Sequence, residues 1–307
     1  MNRLTPVLLL CAFFAAPLHS QVKTPKEQIL FYTADWKGER FLDGRPKIPD
    51  SLLTRALDVS IEDIWDFLRE HKYNSQFEGG WQALHPDQPF AGRALTAQYM
   101  PSRPDMAKAI TAEGKVEGRK SGNNSWPIND LQQGDVYVAD GNGKIFEGTL
   151  IGSNLGSGIA AHTHSGFVFD AGIRDAEENR EIANLNGVYR GYDPSFLIGM
   201  TLTAINAPIR IGHATVLPGD LVLAKRDGVI FIPAILAEEA IATAEFTKLQ
   251  DTFNFELNNS GKNGAEFEGG WNAAKYDAFT KWIDAHPDKL KMPRSEFDSI
   301  VKNKRRE

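Results

Sequence analysis

The stretch that most constrains the fold runs from Gly152 to Asp175. It begins with a glycine-rich loop, GSNLGSG, and continues into small residues typical of the start of a helix. Main-chain N–H groups in the first turn of a helix lack intrahelical partners and lie at the positive end of the helix dipole. This loop therefore predicts an anion-binding site. The apolar run from Gly166 to Asp170 then has the length of a buried strand.

Two opposite charges follow this predicted strand. After Ala171 and Gly172 the chain continues through Ile173 to Arg174 and Asp175. In α/β folds, residues just past the carboxyl end of a strand commonly form the functional site. The sequence therefore predicts a site for an α-keto acid. Such a site would combine the anion-binding loop, the guanidinium and a carboxylate that can bind a metal.

The same stretch resembles the RraA-like family, which includes the 4-hydroxy-4-methyl-2-oxoglutarate aldolases and is often labelled dimethylmenaquinone methyltransferase-like. Its pattern is a glycine loop, a helix, an apolar strand ending in Asp-Gly, and then Arg-Asp. Two further blocks are similar to the family, GDVYVADG at 134–141 and the run from NAPIRIG to DGVIFIP at 206–233. The similarity covers roughly residues 51–246. It implies an α/β fold with a swivelling β/β/α-type core and helical N- and C-terminal extensions.

The resemblance also implies roles for individual residues. Asp175 corresponds to the ligand of a divalent metal, Mg²⁺ or Mn²⁺, which favours oxygen ligands and keeps part of its hydration. Arg174 corresponds to the cation that stabilises a developing oxyanion. The backbone N–H groups from Gly152 to Leu155 would hold the substrate carboxylate. The implied reaction is retro-aldol cleavage of a 4-hydroxy-2-oxo acid, or decarboxylation of a related oxo acid, to give pyruvate.

The loop departs from the family pattern at one position. The aldolases carry an acidic residue directly after the loop glycine, where it helps to place a proton-relaying water. Here that position is Ser153, followed by Asn154 in place of leucine. A serine hydroxyl can bind a water but is not a carboxylate base near neutral pH. We therefore expect the stabilisation of the oxyanion to be intact and the aldolase activity to be weakened or altered.

Other functions stay open on the sequence. A non-catalytic protein that binds a small carboxylate would use the same pocket. A family role as an inhibitor of a cytoplasmic ribonuclease is a third possibility, and a predicted export signal argues against it. His162 and His164, with His213, form an alternative metal site of lower rank. The loop glycines do not have the spacing of a dinucleotide fingerprint, and no Gly-x-Ser-x-Gly motif indicates a serine hydrolase.

The N-terminus predicts export. Arg3, an apolar run of about ten residues and a small-residue site before Gln21 are typical of a secretory signal at 1–20, and the run is shorter than the ~20 residues that span a bilayer. Cys11 is the one cysteine and lies in this signal, so the mature chain is expected to carry no disulfide and to be periplasmic or extracellular. A net charge of −6 argues against non-specific nucleic-acid binding.

The chain divides into four predicted parts. These are a signal at 1–20, an extension at 21–50 that packs loosely, an RraA-like domain at 51–247 and a helical C-terminal extension at 248–307. The resemblance implies a homotrimer, or a hexamer made of two trimers, with sites at subunit interfaces. Two copies of FEGGW, at 77–81 and 267–271, are interpreted as Gly-Gly turns with locally packed aromatic residues, the alternative being two loops that line a site. Strands are predicted at 90–100, 134–140, 166–170, 197–204, 209–211, 221–224 and 229–232, and helices at 106–112, 233–249, 273–286 and 295–302. Ser60 with Asp63 three residues later is a capping-box pattern that predicts the start of a further helix, and residues 258–261, NNSG, are predicted to be a linker.

Overall fold

A computed structural model describes residues 22–261 and 270–305 of the chain. The predicted signal at 1–20, with Cys11, lies outside the described residues, and so do positions 267–269 of the second FEGGW segment. None of the described helices is long and apolar enough to cross a membrane. The helices are α1 (Lys26–Tyr32), α2 (Asp50–Ala56), α3 (Ile61–Glu70), α4 (Pro104–Val116), α5 (Trp126–Asp130), α6 (Ser153–Thr163), α7 (Ala176–Glu181), α8 (Ala237–Asn259), α9 (Ala273–Ala285) and α10 (Arg294–Lys304). The strands are β1 (Phe77–Glu78), β2 (Gln82–Ala83), β3 (Phe90–Pro101), β4 (Asp135–Thr149), β5 (Gly166–Ile173), β6 (Asn186–Tyr192), β7 (Met200–Ile205), β8 (Ile209–Ile211), β9 (Ala214–Val216), β10 (Leu221–Lys225) and β11 (Gly228–Ile232).

The centre of the fold is a mixed sheet. Within the described residues its strand order is β1-β11-β10-β3-β4-β5-β6-β2, and β7 pairs with β3 off this path. The four neighbours β3, β4, β5 and β6 are parallel, whereas the outer pairs are antiparallel. Strand β5 is buried along its whole length, which explains why its sequence is continuously apolar rather than alternating. The α/β fold class is therefore confirmed.

The side chains of the sheet enter three apolar clusters. On one face, Phe167 and Phe169 pack with residues of α5 and α6 such as Ile159. On the other face, Val168 packs with the small β8–β9 hairpin. The third cluster joins β10 and β11 to α2, α3 and α8. Helix α3 begins as its sequence predicts, because the Ser60 side chain caps it by accepting the Asp63 N–H.

The N-terminal extension is integrated into this core, so the prediction that it packs loosely is wrong. Arg45 is fully buried and forms ion pairs of 3.0 Å with Asp43 and Asp135, the second of which lies on β4. Ile29 and Ile48 are also fully buried. A buried guanidinium requires charged partners, and those partners connect the extension to the first parallel strands.

The C-terminal helices form a separate aromatic cluster. Phe253, Phe279 and Phe297 pack between α8, α9 and α10. Helix α8 reaches Asn259, so the linker predicted from Asn258 is helical over its first two residues. The Arg55 guanidinium binds Glu245 of α8 and Glu296 of α10, which holds this extension against α2.

Candidate active site

The Gly152 loop and the charged pair lie side by side. Strand β5 ends at Ile173, Arg174 follows it, and α6 begins at Ser153. The Leu150 N–H donates to the Gly172 carbonyl at 3.0 Å, and the Arg174 N–H donates to the Ile151 carbonyl at 3.0 Å. These two backbone hydrogen bonds bring the loop against the end of the strand, as expected from the sequence.

The Asp175 carboxylate faces the loop because of an uncommon backbone conformation. Asp175 has φ 54° and ψ 44°, in the left-handed region that few non-glycine residues adopt. It precedes α7, yet its side chain makes no cap hydrogen bond to that helix. Its Oδ2 instead accepts the Ser153 N–H at 3.2 Å. One of the predicted anion-binding N–H groups is thus directed at Asp175.

Arg174 lies between this carboxylate and an aromatic ring. Its Nη1 is 3.5 Å from Asp175 Oδ2, and the two side chains are 33% and 32% exposed. Its guanidinium carbon lies 4.7 Å from the centre of the Phe196 ring. Phe196 is itself 63% exposed. The ring supports one face of the guanidinium, which leaves the cation accessible to a ligand at its edge.

Gly152 is required by the close approach of these side chains. A Cβ atom at this position would clash with Asp175 Oδ2 and would lie 3.1 Å from both Cζ and Nε of Arg174. The backbone of Gly152 is extended, at φ −118° and ψ −171°, so the constraint is space and not conformation. The loop glycine therefore permits the contact between loop and charged pair.

Asn179 binds the backbone of the charged pair. It was not predicted as a site residue from the sequence. It is fully buried, and its Nδ2 donates to the carbonyls of Arg174 at 3.1 Å and Asp175 at 2.8 Å. Its Oδ1 lies directly against Gly156, where an added Cβ would overlap it. The spacing of four residues from Asp175 within a helix is the one local hint of this role.

A small cavity of about 90 Å³ opens beside the loop and Arg174. This is more than the roughly 10–15 Å³ that one water needs, so the cavity can admit a small polar group such as a carboxylate. A bulkier substrate would extend beyond it, past Phe196. Larger cavities exist elsewhere, but this one is next to the charged pair. Its lining residues are Asn124, Thr149, Leu150, Ile151, Gly152, Asn154, Leu155, Arg174, Phe196 and Leu197.

The donor set around Asp175 suits a cation that keeps most of its water. Within 22–261 and 270–305, no group of three or more His, Cys, Asp or Glu side chains converges as a metal site. A single carboxylate that is about one-third exposed fits Mg²⁺ or Mn²⁺, which are often bound by one or two carboxylates and several waters. The structure does not bring the three predicted histidines together into such a group. His213 Nδ1 lies 3.1 Å from Glu78 Oε2, and His162 and His164 are exposed at the end of α6.

The first FEGGW segment packs locally. Glu78 binds the Arg190 guanidinium at 2.7 Å, and Trp81 covers that guanidinium with its ring centre 3.7 Å away. Arg190 also binds Asp170 of β5 at 2.6 Å. This segment fixes the edge of the sheet and does not line the Gly152 cavity. Among the described residues of the second segment, Trp271 packs on Phe253 in the C-terminal aromatic cluster.

Comparison with known families agrees with this geometry. The family model described as RraA-like, Aldolase/RraA, matches residues 61–231, which is more than half of the chain. The chain belongs to the RraA-like family. This family includes both aldolase or lyase members and members that inhibit RNase E-type ribonucleases. Its members are often Mg²⁺-dependent and often form homotrimers.

Solved structures give the same fold. RraAS2 of Streptomyces coelicolor, described as an unusual member of the RNase ES inhibitor RraA protein family, is 26% identical, with a TM-score of 0.58 over 68% of this chain and 99% of its own. An uncharacterized protein of Pseudomonas syringae pv. tomato is 21% identical, with a TM-score of 0.57 over 74% of this chain and 95% of its own. A protein described under novel cellulases from gut-associated microbes is 21% identical, with a TM-score of 0.59 over 75% and 96%. The last two similarities bear on the RraA-like fold alone.

Proposed function

We propose that this RraA-like protein is a divalent-metal-dependent lyase that releases pyruvate from a small oxo acid. The substrate is a 4-hydroxy-2-oxo acid cleaved by a retro-aldol reaction, or a related oxo acid that is decarboxylated. The observation that carries the proposal is the placement of Asp175: its left-handed backbone is accompanied by a carboxylate that does not cap its own helix and instead accepts the N–H of Ser153 in the Gly152 loop.

The chain's own groups would bind and orient the substrate. Arg174 and the first-turn N–H groups of Asn154 and Leu155 would receive the substrate carboxylate and the 2-oxo oxygen at the 90 Å³ cavity. As the C3–C4 bond breaks, its electron pair moves to the pyruvate enolate, whose oxygen Arg174 stabilises. The proton of the 4-hydroxyl passes to water, since Ser153 is not a base near neutral pH, and C4 leaves as the carbonyl carbon of the second product. A proton from water then adds to C3 of the enolate and gives pyruvate.

Asp175 would hold the Mg²⁺ or Mn²⁺ ion, which supplies Lewis-acid polarisation of the substrate carbonyl. The neighbouring Arg174 is compatible with this role because its guanidinium can contact the substrate oxygens while the carboxylate contacts the cation and its waters. The Ser153 N–H fixes one carboxylate oxygen at 3.2 Å, so the other oxygen remains available.

We further propose that the protein is a homotrimer, or a pair of trimers, with the site at a subunit interface. Large apolar side chains are exposed near the charged pair, on β4, β6 and the loop that carries Phe196. Their exposed fractions are 63% for Phe146, 53% for Tyr192, 63% for Phe196 and 62% for Ile198. Exposed apolar side chains grouped around a site are typical of an interface. A neighbouring subunit would then cover the cavity mouth and could add the acid that Ser153 lacks.

Export completes the proposal. Cleavage before Gln21 would place the mature enzyme in the periplasm or outside the cell, away from a cytoplasmic ribonuclease. Mass spectrometry of the protein purified from a secreting host tests this point directly. An intact N-terminus on the purified protein would contradict it and would return ribonuclease inhibition to consideration.

The lyase activity is tested with purified mature protein and Mg²⁺ or Mn²⁺. Oxaloacetate and 4-hydroxy-4-methyl-2-oxoglutarate are supplied, and pyruvate is measured over time. We expect turnover that requires the metal and that is lost in Asp175→Asn, which keeps the shape of the side chain without its charge. The matched control is Glu177→Gln, which removes the same charge from an exposed residue two positions along the chain.

Two results would overturn the assignment. Turnover that survives in Asp175→Asn would remove Asp175 as the metal ligand. Measurable binding of a small carboxylate without turnover of either substrate would instead support the alternative function, a non-catalytic protein that binds a small carboxylate.

A further inference from the structure

A second cavity shares no lining residue with the one beside Gly152, and its lining includes aromatic and acidic residues. It has a volume of about 260 Å³. Part of its wall comes from the end of α1 and the following turn, which lie before the region matched by the family model at 61–231. The N-terminal extension therefore adds this cavity to the RraA-like core. The lining residues are Tyr32, Thr33, Asp35, Trp36, Tyr73, Gln76, Thr215, Leu217, Asp220, Pro233, Ala234 and Ile235.

The cavity lining contains acidic and aromatic residues but no basic ones. Tyr32, Trp36 and Tyr73 are its aromatic residues, and Asp35 and Asp220 are its acidic residues. None of the residues that line the cavity is a lysine, arginine or histidine. Aromatic faces carry a negative electrostatic potential, and together with carboxylates they favour a positively charged ligand whose surface is largely apolar.

Asp220 is buried, and no basic side chain lines the cavity beside it. It is 4% exposed, and its two oxygens accept the N–H groups of Leu217 at 2.8 Å and Ala234 at 3.3 Å. Burial raises the pKa of Asp220 to about 7. A cation in the cavity would offset that cost by giving the ionised carboxyl a partner.

The aromatic wall is held in place before any ligand binds. The Arg40 guanidinium lies behind it and donates to the backbone carbonyls of Thr33 at 2.6 Å and Trp36 at 3.0 Å. The Trp36 indole N–H donates to the Glu39 carbonyl at 2.8 Å. These bonds fix the turn between Thr33 and Trp36, so this part of the wall needs little ordering on binding.

We propose that this cavity is a binding site for a small organic ammonium cation, with a quaternary or tertiary ammonium group against the aromatic rings. Its volume is below the range of about 300–1,000 Å³ that is usual for drug-sized ligands, so the ligand is a small one. The site is separate from the proposed lyase site and does not depend on that function.

Isothermal titration calorimetry of the mature full chain tests the proposal, with choline as the probe. The control ligand is 3,3-dimethylbutan-1-ol, which has the same shape as choline but carries no charge. We expect choline to bind and the neutral analogue to bind at least about tenfold more weakly, because only the cation gains from the rings and carboxylates. Equal binding of the two ligands, or no choline binding at millimolar concentrations, would overturn the proposal.

Variants of the wall locate the binding. Tyr32 and Tyr73 are 36% and 40% exposed, so their replacement leaves the core intact. Tyr32→Leu and Tyr73→Leu should each weaken choline binding about 2- to 30-fold, whereas the corresponding Phe variants, which keep the ring, should bind nearly as the wild type does. Phe255→Leu is the matched control, since Phe255 is 69% exposed and does not line the cavity. A loss in Phe255→Leu as large as in Tyr32→Leu would count against the site.

Discussion

Substitution of Gly152 by alanine separates the geometry of the candidate site from the stability of the fold. An added Cβ would clash with Asp175 Oδ2 and lie 3.1 Å from Arg174 Cζ. To restore an ordinary contact distance the carboxylate must move by roughly 1 Å, away from the Ser153 N–H that it accepts. Both charged side chains are about one-third exposed, so they can move into solvent while the core stays packed.

The expected magnitudes follow from that movement. A 1 Å displacement of a catalytic group costs about 100-fold in rate, so Gly152→Ala should lower kcat for pyruvate release by about that factor. The extended backbone of Gly152 accepts alanine, and the loss of a glycine lowers the entropy of the unfolded chain. The free energy of unfolding should therefore change by less than about 2 kcal/mol, because overpacking that can relax into solvent lies at the low end of its range.

Two measurements and one control decide this prediction. Pyruvate release gives the rate, and Mn²⁺ affinity measured by electron paramagnetic resonance reports on the Asp175 carboxylate independently of turnover. The control is Gly158→Ala, in the same helix α6, where an added Cβ meets only Ile128 Cγ2 at 3.3 Å. Wild-type rate and wild-type Mn²⁺ affinity in Gly152→Ala would refute the argument, as would an equal loss in Gly158→Ala.

Three further predictions concern the loop and the buried charges. Ser153→Asp should raise the rate of pyruvate release, because it supplies a carboxylate at the start of α6, and an unchanged rate would dismiss Ser153 as the limiting position. Arg45→Ala should lower the free energy of unfolding in urea by about 3–5 kcal/mol, because it removes the 3.0 Å partner of the buried Asp135 and leaves that carboxylate the more distant Arg93 guanidinium, at 3.9 Å, as its cation, and a loss below about 1 kcal/mol would contradict this account. Burial raises the pKa of Asp220 to about 7 from 3.8, so between these pH values the folded protein holds a proton that the unfolded chain has released. The free energy of unfolding is therefore highest below about pH 4 and falls by about 4 kcal/mol in all as the pH rises to about 7. Urea unfolding of the wild type and of Asp220→Asn across this pH range measures the part of this change that is due to Asp220. Parallel pH profiles for the two proteins would show that Asp220 does not titrate in this way.

The sequence alone was sufficient to predict the structural elements that depend on local signals. The apolar run at 166–170 predicted a buried strand, and β5 occupies Gly166–Ile173. Ser60 and Asp63 predicted the start of α3. The family resemblance, read from the Gly152 loop and the Arg174-Asp175 pair, is confirmed by the match at 61–231. Such features are local because capping, periodicity and glycine turns act over a few residues.

Strand β6 was missed, and its sequence explains why. The run from Asn186 to Tyr192 contains two glycines and an arginine, so it shows neither a continuous apolar character nor a regular alternation. Arg190 is tolerated in it because Asp170 and Glu78 compensate its charge from other parts of the chain. No local pattern contains that information.

What the sequence determined, then, was which residue types are available and which short segments form helices and strands. Only the tertiary structure decided where their side chains meet. The contact of Asp175 with the Ser153 N–H depends on a left-handed backbone and on space that Gly152 leaves open. The cavity between Trp36 and Asp220 depends on residues far apart in the chain. Contacts of this kind depend on how distant segments pack and on how buried charges are compensated. Short-range sequence patterns contain no information about either.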